Sequence, residues 1–201
     1  TLLNQIKPDL LIHCAGFTSI DGCEQKRALA YETNVRVCEN IARACSNKIK
    51  LVHISTDQVY GKGENHSEAY EMLEPLNQYG LTKLYGEQKI QELCSDYLIL
   101  RTNIFGWNVK PGRISSAEWI LNSLKNKNEI TLFSDYTFSP IFTECLGEII
   151  MQLVEIDFSG VINVGSSKPC SKYEFGLQMA EEFGLETSCI RKGLMSDHSF
   201  S

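Results

Sequence analysis

Four short apolar runs, over residues 9–15, 51–55, 97–101 and 160–165, recur along this chain with helix-patterned stretches between them. That alternation constrains the fold more than any other feature. Strands joined through helices have to cross over and lie parallel, and a parallel sheet has to be covered on both faces. The run at 9–15 follows Pro8, and the stretch 23–46 after it carries Ala30, Val37, Ile41 and Ala44 at helical spacing. Helices are also predicted from the entrance Pro75-Leu76-Asn77 to about residue 93, and over 116–124, 144–154 and 172–183. A polar, Gly-containing stretch over 61–75 reads as a loop across the sheet edge, and 103–106 as a turn closing the third strand. The expected fold is α/β, a doubly wound parallel sheet of the Rossmann-like kind.

A length of 201 residues with 43% apolar content suits one sizeable core. The net charge of -6 offers no basic stripe for nucleic acid. No apolar run approaches the ~18 residues that span a bilayer, and no signal peptide opens the sequence, so a soluble, cytoplasmic protein is expected. The eight cysteines are scattered without a Cys-x-x-Cys pair, which fits reduced core thiols and no metal site.

Chemistry enters with Tyr79 and Lys83. At positions i and i+4 they share one helix face. A free tyrosine, with a pKa of about 10, is a slow acid near neutrality, and a cation within ~4–6 Å favours its phenolate. Lys83 is therefore expected to acidify Tyr79. Thr56, at the C-terminal end of the strand at 51–55, stands where open α/β sheets bind ligands, so its hydroxyl can hold a carbonyl that Tyr79 protonates. A second pair, Tyr85 with Lys89, lies six residues on, rotated about 120° around the same helix, and so cannot face the same site. It is expected to be solvated or to face another subunit.

These segments carry a family resemblance. Residues 9–24, 31–44 with Asn34, 53–60 (HISTDQVY), 75–87 (PLNQYGLTKLYGE) and 98–106, followed by Phe138-Ser139-Pro140-Ile141, match in order the extended short-chain dehydrogenase/reductases. Within them the chain resembles the group of dTDP-4-dehydrorhamnose reductase and related sugar-nucleotide reductases. The resemblance implies a catalytic Thr56, Tyr79 and Lys83, with Lys83 also bonding the nicotinamide ribose of NADP or NAD. Cys14, Ala15, Gly16 and Thr18 match the loop that packs along the cofactor, joined on the cofactor side by Ser55, Thr102 and Asn103; Asp57, Asn103 and Ser139 fall on the substrate side. It further implies a nucleotide-sugar substrate, a homodimer, a dinucleotide-binding core over 1–110, and a substrate-side portion over 111–201 that also returns a helix and strand to the core.

The departures sharpen the expectation. No Gly-x-x-Gly-x-x-Gly occurs, so the βαβ unit that holds the pyrophosphate in this family is missing, and the residue that selects NAD or NADP goes with it. The chain is expected to be a fragment that binds cofactor poorly by itself. Ile104 stands where rhamnose reductases usually carry a tryptophan, and Gln58 where an aromatic residue is common, which leaves the sugar open. Two alternatives share the resemblance: a non-catalytic regulatory subunit like that of methionine adenosyltransferase, and a nucleotide-sugar epimerase or dehydratase. Thr56-Asp57-Gln58 supplies one carboxylate where a dehydratase uses an acidic pair.

Overall fold

The computed structural model describes residues 2–45, 49–63, 66–68, 73–109, 112 and 114–195. Their contacts divide the chain into two compact units, Thr1–Thr102 with Gln152–Val164, and Asn103–Met151 with Gly165–Ser201.

The first unit opens with the short helix α1 (Leu2–Ile6) and is built on strands β1 (Leu10–His13), β2 (Lys50–Ile54), the first part of β3 (Tyr97–Phe105) and, late in the chain, β7 (Gly160–Val164). All pair in parallel, β1 with β2, β2 with β3, and β3 with β7, as the alternation predicts. β2 is buried over Lys50–His53 because it is flanked by β1 and β3, whereas β1 pairs on one side only among the described residues and leaves Ile12 exposed. Successive side chains of a strand point to opposite faces, so Leu51 and His53 of β2 share a face with Ile99 and Arg101 of β3. Helices α4 (Val37–Cys45) and α5 (Gln78–Leu93) pack on that face. Cys38, Ala42 and Cys45 meet Leu51, Ile90, Cys94 and Ile99 there. Leu51, Ile90 and Ile99 each contribute about 1.5–3 kcal/mol on full burial.

The single helix expected over 23–46 is broken in the structure. α2 (Ile20–Gln25) starts three residues early because the Ser19 hydroxyl caps it, accepting from the Gly22 amide at 3.0 Å. After Lys26 come α3 (Arg27–Tyr31), a π-helical turn at Glu32–Arg36, and α4; Ser46 lies outside the described residues. The π turn rotates Asn34 and Val35 inward, where both are buried. α5 begins where Pro75-Leu76-Asn77 places it, with the Asn77 side chain accepting from the Gly80 amide at 2.8 Å. Residues 64–65 and 69–72 of the expected loop at 61–75 lie outside the described residues.

In the second unit the last part of β3 pairs in parallel with β6 (Pro140–Phe142). This corrects the expected turn at 103–106: the strand continues through Phe105 because a partner strand, not legible in the sequence, satisfies its backbone. β4 (Ile130–Phe133) pairs with β9 (Ile190–Gly193) and β5 (Thr137–Phe138) with β8 (Cys170–Ser171). Helices α6 (Ser116–Lys125) and α8 (Lys172–Glu182) each start at a reciprocal Ser/Glu capping box, Ser115 with Glu118 and Ser171 with Glu174. They cover β4 and β9 with Leu121, Leu132, Phe175, Met179 and Ile190. α7 (Thr143–Glu155) leads back to the first unit. No helix among the described residues is long and apolar enough to cross a membrane.

Candidate active site

Thr56 ends β2 and caps the short 3-10 turn Asp57–Val59, its hydroxyl accepting from the Gln58 amide at 3.2 Å. That turn lies against the first turn of α5, and glycine at position 80 is what permits it. A Cβ on Gly80 would sit 2.1 Å from the Gln58 carbonyl oxygen. The close approach brings the Thr56 hydroxyl to the Tyr79 phenol, where it hydrogen-bonds and favours the phenolate. Burial opposes that effect and is larger, and the Asp57 carboxylate adds to it, so the Tyr79 pKa lies above its ordinary value.

Lys83 is buried one turn further along α5. Its ammonium donates to the Ile54 carbonyl at 2.7 Å and is held 3.0 Å from His53 Nε2. The expectation that Lys83 acidifies Tyr79 does not hold in this geometry. The ammonium is directed at the end of β2, and the phenol answers to burial, Thr56 and Asp57. Burial also pulls the Lys83 pKa below normal, against the influence of Cys38, Glu87 and Cys14.

The loop after β1 presents Cys14, Ala15, Gly16 and Thr18 at the surface. Asn34 braces it: the Phe17 amide donates to Asn34 Oδ1 at 2.7 Å, and Asn34 Nδ2 donates to the Phe17 carbonyl at 3.1 Å and to Thr82 Oγ1 at 3.0 Å. Thr82 in turn donates to the Gln78 carbonyl at 2.9 Å. The π turn thus ties the loop to the helix that carries Tyr79 and Lys83, and π turns inside helices recur at functional sites. A Cβ on Gly16 would meet only ordinary contacts, Asn34 Oδ1 at 3.4 Å being the nearest, so the protein leaves the front of this loop open.

Ser55 faces inward. Its hydroxyl donates to the buried Glu87, which also receives Arg101 through Nε at 3.1 Å and Nη2 at 2.7 Å. Arg101 extends to the Tyr60 hydroxyl at 3.0 Å, and Tyr60 donates to Asn163 Oδ1 at 2.7 Å. Burying an ion pair is tolerated only when its remaining donors and acceptors are satisfied, as they are here. Thr102, at the end of the β3 segment in this unit, is buried with its hydroxyl unpartnered among the described residues. Tyr85 is exposed, and Lys89 pairs with Glu92 at 2.6 Å, as expected of a pair off the site.

Asn103 and Ser139 belong to the second unit. Asn103 lines a pocket of about 300 Å³ there, together with Phe105, Trp119, Leu132, Phe138, Phe175 and Lys172. Ser139 lies between β5 and β6, its carbonyl packed so tightly on Gly165 that a Cβ would approach it to 2.7 Å. Sequence reasoning did not single out His13, His53, Glu87 or Arg101. The available signal was a histidine near the end of each of two successive strand runs, which the parallel register sets side by side.

Comparison with known proteins agrees with this architecture. The chain is 28% identical to the probable low-salt glycan biosynthesis reductase Agl14 of Haloferax volcanii, over 98% of its own length and 67% of that protein. It is 33% identical to the spore coat polysaccharide biosynthesis protein SpsK of Bacillus subtilis, over 92% of its length and 64% of that protein. The crystal structure of dTDP-4-dehydrorhamnose reductase from Bacillus anthracis in complex with NADP superposes with a TM-score of 0.89 at 28% identity, over 98% of this chain and 69% of that one. The chain therefore spans about two thirds of the length of these relatives. The RmlD substrate binding domain family matches residues 1–197, and the chain belongs to that family.

Proposed function

We propose that the protein reduces the 4-keto group of a nucleotide-linked deoxysugar with NADPH or NADH. The observation that carries this reading is the convergence of Thr56, Tyr79 and Lys83 at the C-terminal end of β2, with the open loop 14–18 braced to the same helix by Asn34.

The residues present suit a nicotinamide cofactor. An ammonium has three N–H donors; Lys83 directs two to Ile54 and His53, and the third, without a partner among the described residues, would serve a ribose hydroxyl. Cys14, Ala15, Gly16 and Thr18 offer an open backbone for the dinucleotide, and the buried Thr102 hydroxyl has no hydrogen-bond partner among the described residues. When bound, the cofactor supplies the hydride. Thr56 orients the substrate oxygen, and Tyr79 delivers the proton that neutralises the developing alkoxide. A raised Tyr79 pKa serves that direction of reaction, since the phenol holds its proton until an alkoxide, a far stronger base, needs it. In this reading Asp57, Asn103 and Ser139 serve the sugar, the rest of 1–110 serves the dinucleotide, and 111–201 serves the substrate while returning Gln152–Val164 to the first unit. A homodimer belongs to the same reading and is measurable by sedimentation.

The test is transfer of label. With NADPH deuterated at nicotinamide C4 and a panel of nucleotide-linked 4-keto-deoxysugars, mass spectrometry should find deuterium on the reduced carbon of one product sugar. Tight cofactor binding with no labelled product from any sugar would instead support a non-catalytic regulatory subunit.

A further inference from the structure

Behind Lys83, under the loop 14–18, lies a buried array that the reaction as described does not use. His13 and His53 stack with ring centroids 4.9 Å apart, their Nδ1 atoms 2.9 Å from one another. Cys38 Sγ lies 3.9 Å from His13 Nδ1 and 4.0 Å from His53 Nε2. The bonding pattern fixes the ring proton of each histidine. An ammonium only donates, so His53 Nε2 accepts from Lys83 and the His53 ring proton resides on Nδ1. One proton fills the contact between the two Nδ1 atoms, so His13 Nδ1 accepts and its own proton resides on Nε2. His13 Nε2 is indeed the end of the line, buried and unpartnered among the described residues.

We propose that His53 positions the Lys83 ammonium and that His13 locks the His53 tautomer this requires. The inference rests on the reductase reading for its catalytic meaning. The titratable groups facing Lys83 are His53 from β2, His13 from β1, Cys38 from α4, Cys14 from the loop after β1, and Glu87 from its own helix. Glu87 is committed to Arg101, and burial pushes the Cys38 thiol up to about 11, which leaves it neutral. The neutral His53 nitrogen and the Ile54 carbonyl are therefore the acceptors that hold the charge in place. Both histidines resist protonation, His13 being held down to about 4 by burial and by Lys83, so the acceptor persists through the physiological range. The side-chain donors of His13, Cys38 and His53 all lie within 4.8 Å of one another, a spacing that could also suit a metal ion. The ammonium 3.0 Å from His53 Nε2 takes the lone pair such an ion would need and repels it.

Two readouts test the proposal. Nitrogen-15 NMR of histidine-labelled protein should show His53 as the Nδ1–H tautomer and His13 as the Nε2–H tautomer at neutral pH; a proton on His53 Nε2 overturns the array. This readout needs no turnover, so an inactive wild-type protein with both tautomers in place counts against the reductase reading and for the array. In kinetics, His53→Phe removes the acceptor, so Lys83 loses its proton sooner. The basic limb of the kcat/KM profile for NADPH should move down by about one pH unit and kcat/KM above that limb fall about tenfold, while His53→Gln, which keeps an acceptor, restores the limb. A folded His53→Phe protein with the wild-type profile overturns the proposal. Should His53→Phe not fold, His13→Leu against His13→Asn asks the same question. Leucine should shift the limb and asparagine preserve it, and equal profiles for the two overturn the tautomer lock.

Discussion

A single methyl group at position 80 should do more harm than at any other helical glycine near the site. The alanine Cβ would lie 2.1 Å from the Gln58 carbonyl oxygen, where ordinary contacts begin at 3.4 Å, so the two backbones must separate by roughly 3.4 − 2.1 = 1.3 Å. The obstructing atom is main chain and cannot swing aside. Alanine gains about 1 kcal/mol of helix propensity over glycine, while overpacking costs about 1–3 kcal/mol, so Gly80→Ala should be destabilised by up to about 2 kcal/mol. Activity should suffer more. The displaced segment carries Thr56, and a misplacement of about 1 Å costs about 100-fold in rate. Gly147 provides the control. It is exposed within α7 with nothing within 4 Å of its Cβ position, so Gly147→Ala should stabilise by about 0.5–1 kcal/mol and leave turnover intact. Urea unfolding and kcat, measured on both variants, decide the matter. A Gly80→Ala protein as stable and as active as Gly147→Ala would show that the close approach does not hold the site together.

Acid should unfold the protein through its buried histidines. His13 is held from 6.5 down to about 4, and His53 also lies well below its ordinary value. Between those pH values the unfolded chain takes up protons that the folded chain refuses, so stability present above pH 6.5 is lost as the pH falls towards 4. At ~1.4 kcal/mol per unit, His13 alone accounts for about 3 kcal/mol, and urea unfolding at pH 7 and pH 4.5 checks it; a flat profile counts against buried neutral imidazoles. Arg101→Met leaves Glu87 buried without its cation and should cost about 3–5 kcal/mol, whereas Arg101→Met combined with Glu87→Leu should recover much of the loss in the same assay. Asn34→Ala removes three hydrogen bonds around loop 14–18 and should raise the dissociation constant for NADPH by about tenfold, read by quenching of protein fluorescence, with a change under twofold refuting the bracing role.

What the sequence disclosed follows from which forces are local. The parallel sheet was legible because each strand of the first unit is a short buried run followed by a helical period, and the α5 entrance because Asn77 sits next to its own capping partner. The shared helix face of Tyr79 and Lys83 was legible from spacing, since i and i+4 on a helix leave little freedom. The direction of the Lys83 ammonium was not. It depends on His53 and the Ile54 carbonyl, some thirty residues away in sequence, and no local pattern encodes a lone pair aimed across a sheet. The same limit hid β6, whose three residues are strand only because β3 continues beside them, and the π turn, whose extra residue per turn is held by the bonds Asn34 makes to Phe17 and Thr82. Ile104 and Gln58 leave the identity of the sugar to experiment.

The most direct measurement is the rate of NADPH oxidation by the wild-type protein and by Tyr79→Phe, side by side, on the same panel of nucleotide-linked 4-keto-deoxysugars. Proton donation by Tyr79 predicts turnover on one sugar and a fall of about 100- to 10,000-fold in kcat on loss of the phenol hydroxyl, with NADPH binding little changed. Turnover that survives the substitution undiminished would contradict Tyr79 as the proton donor.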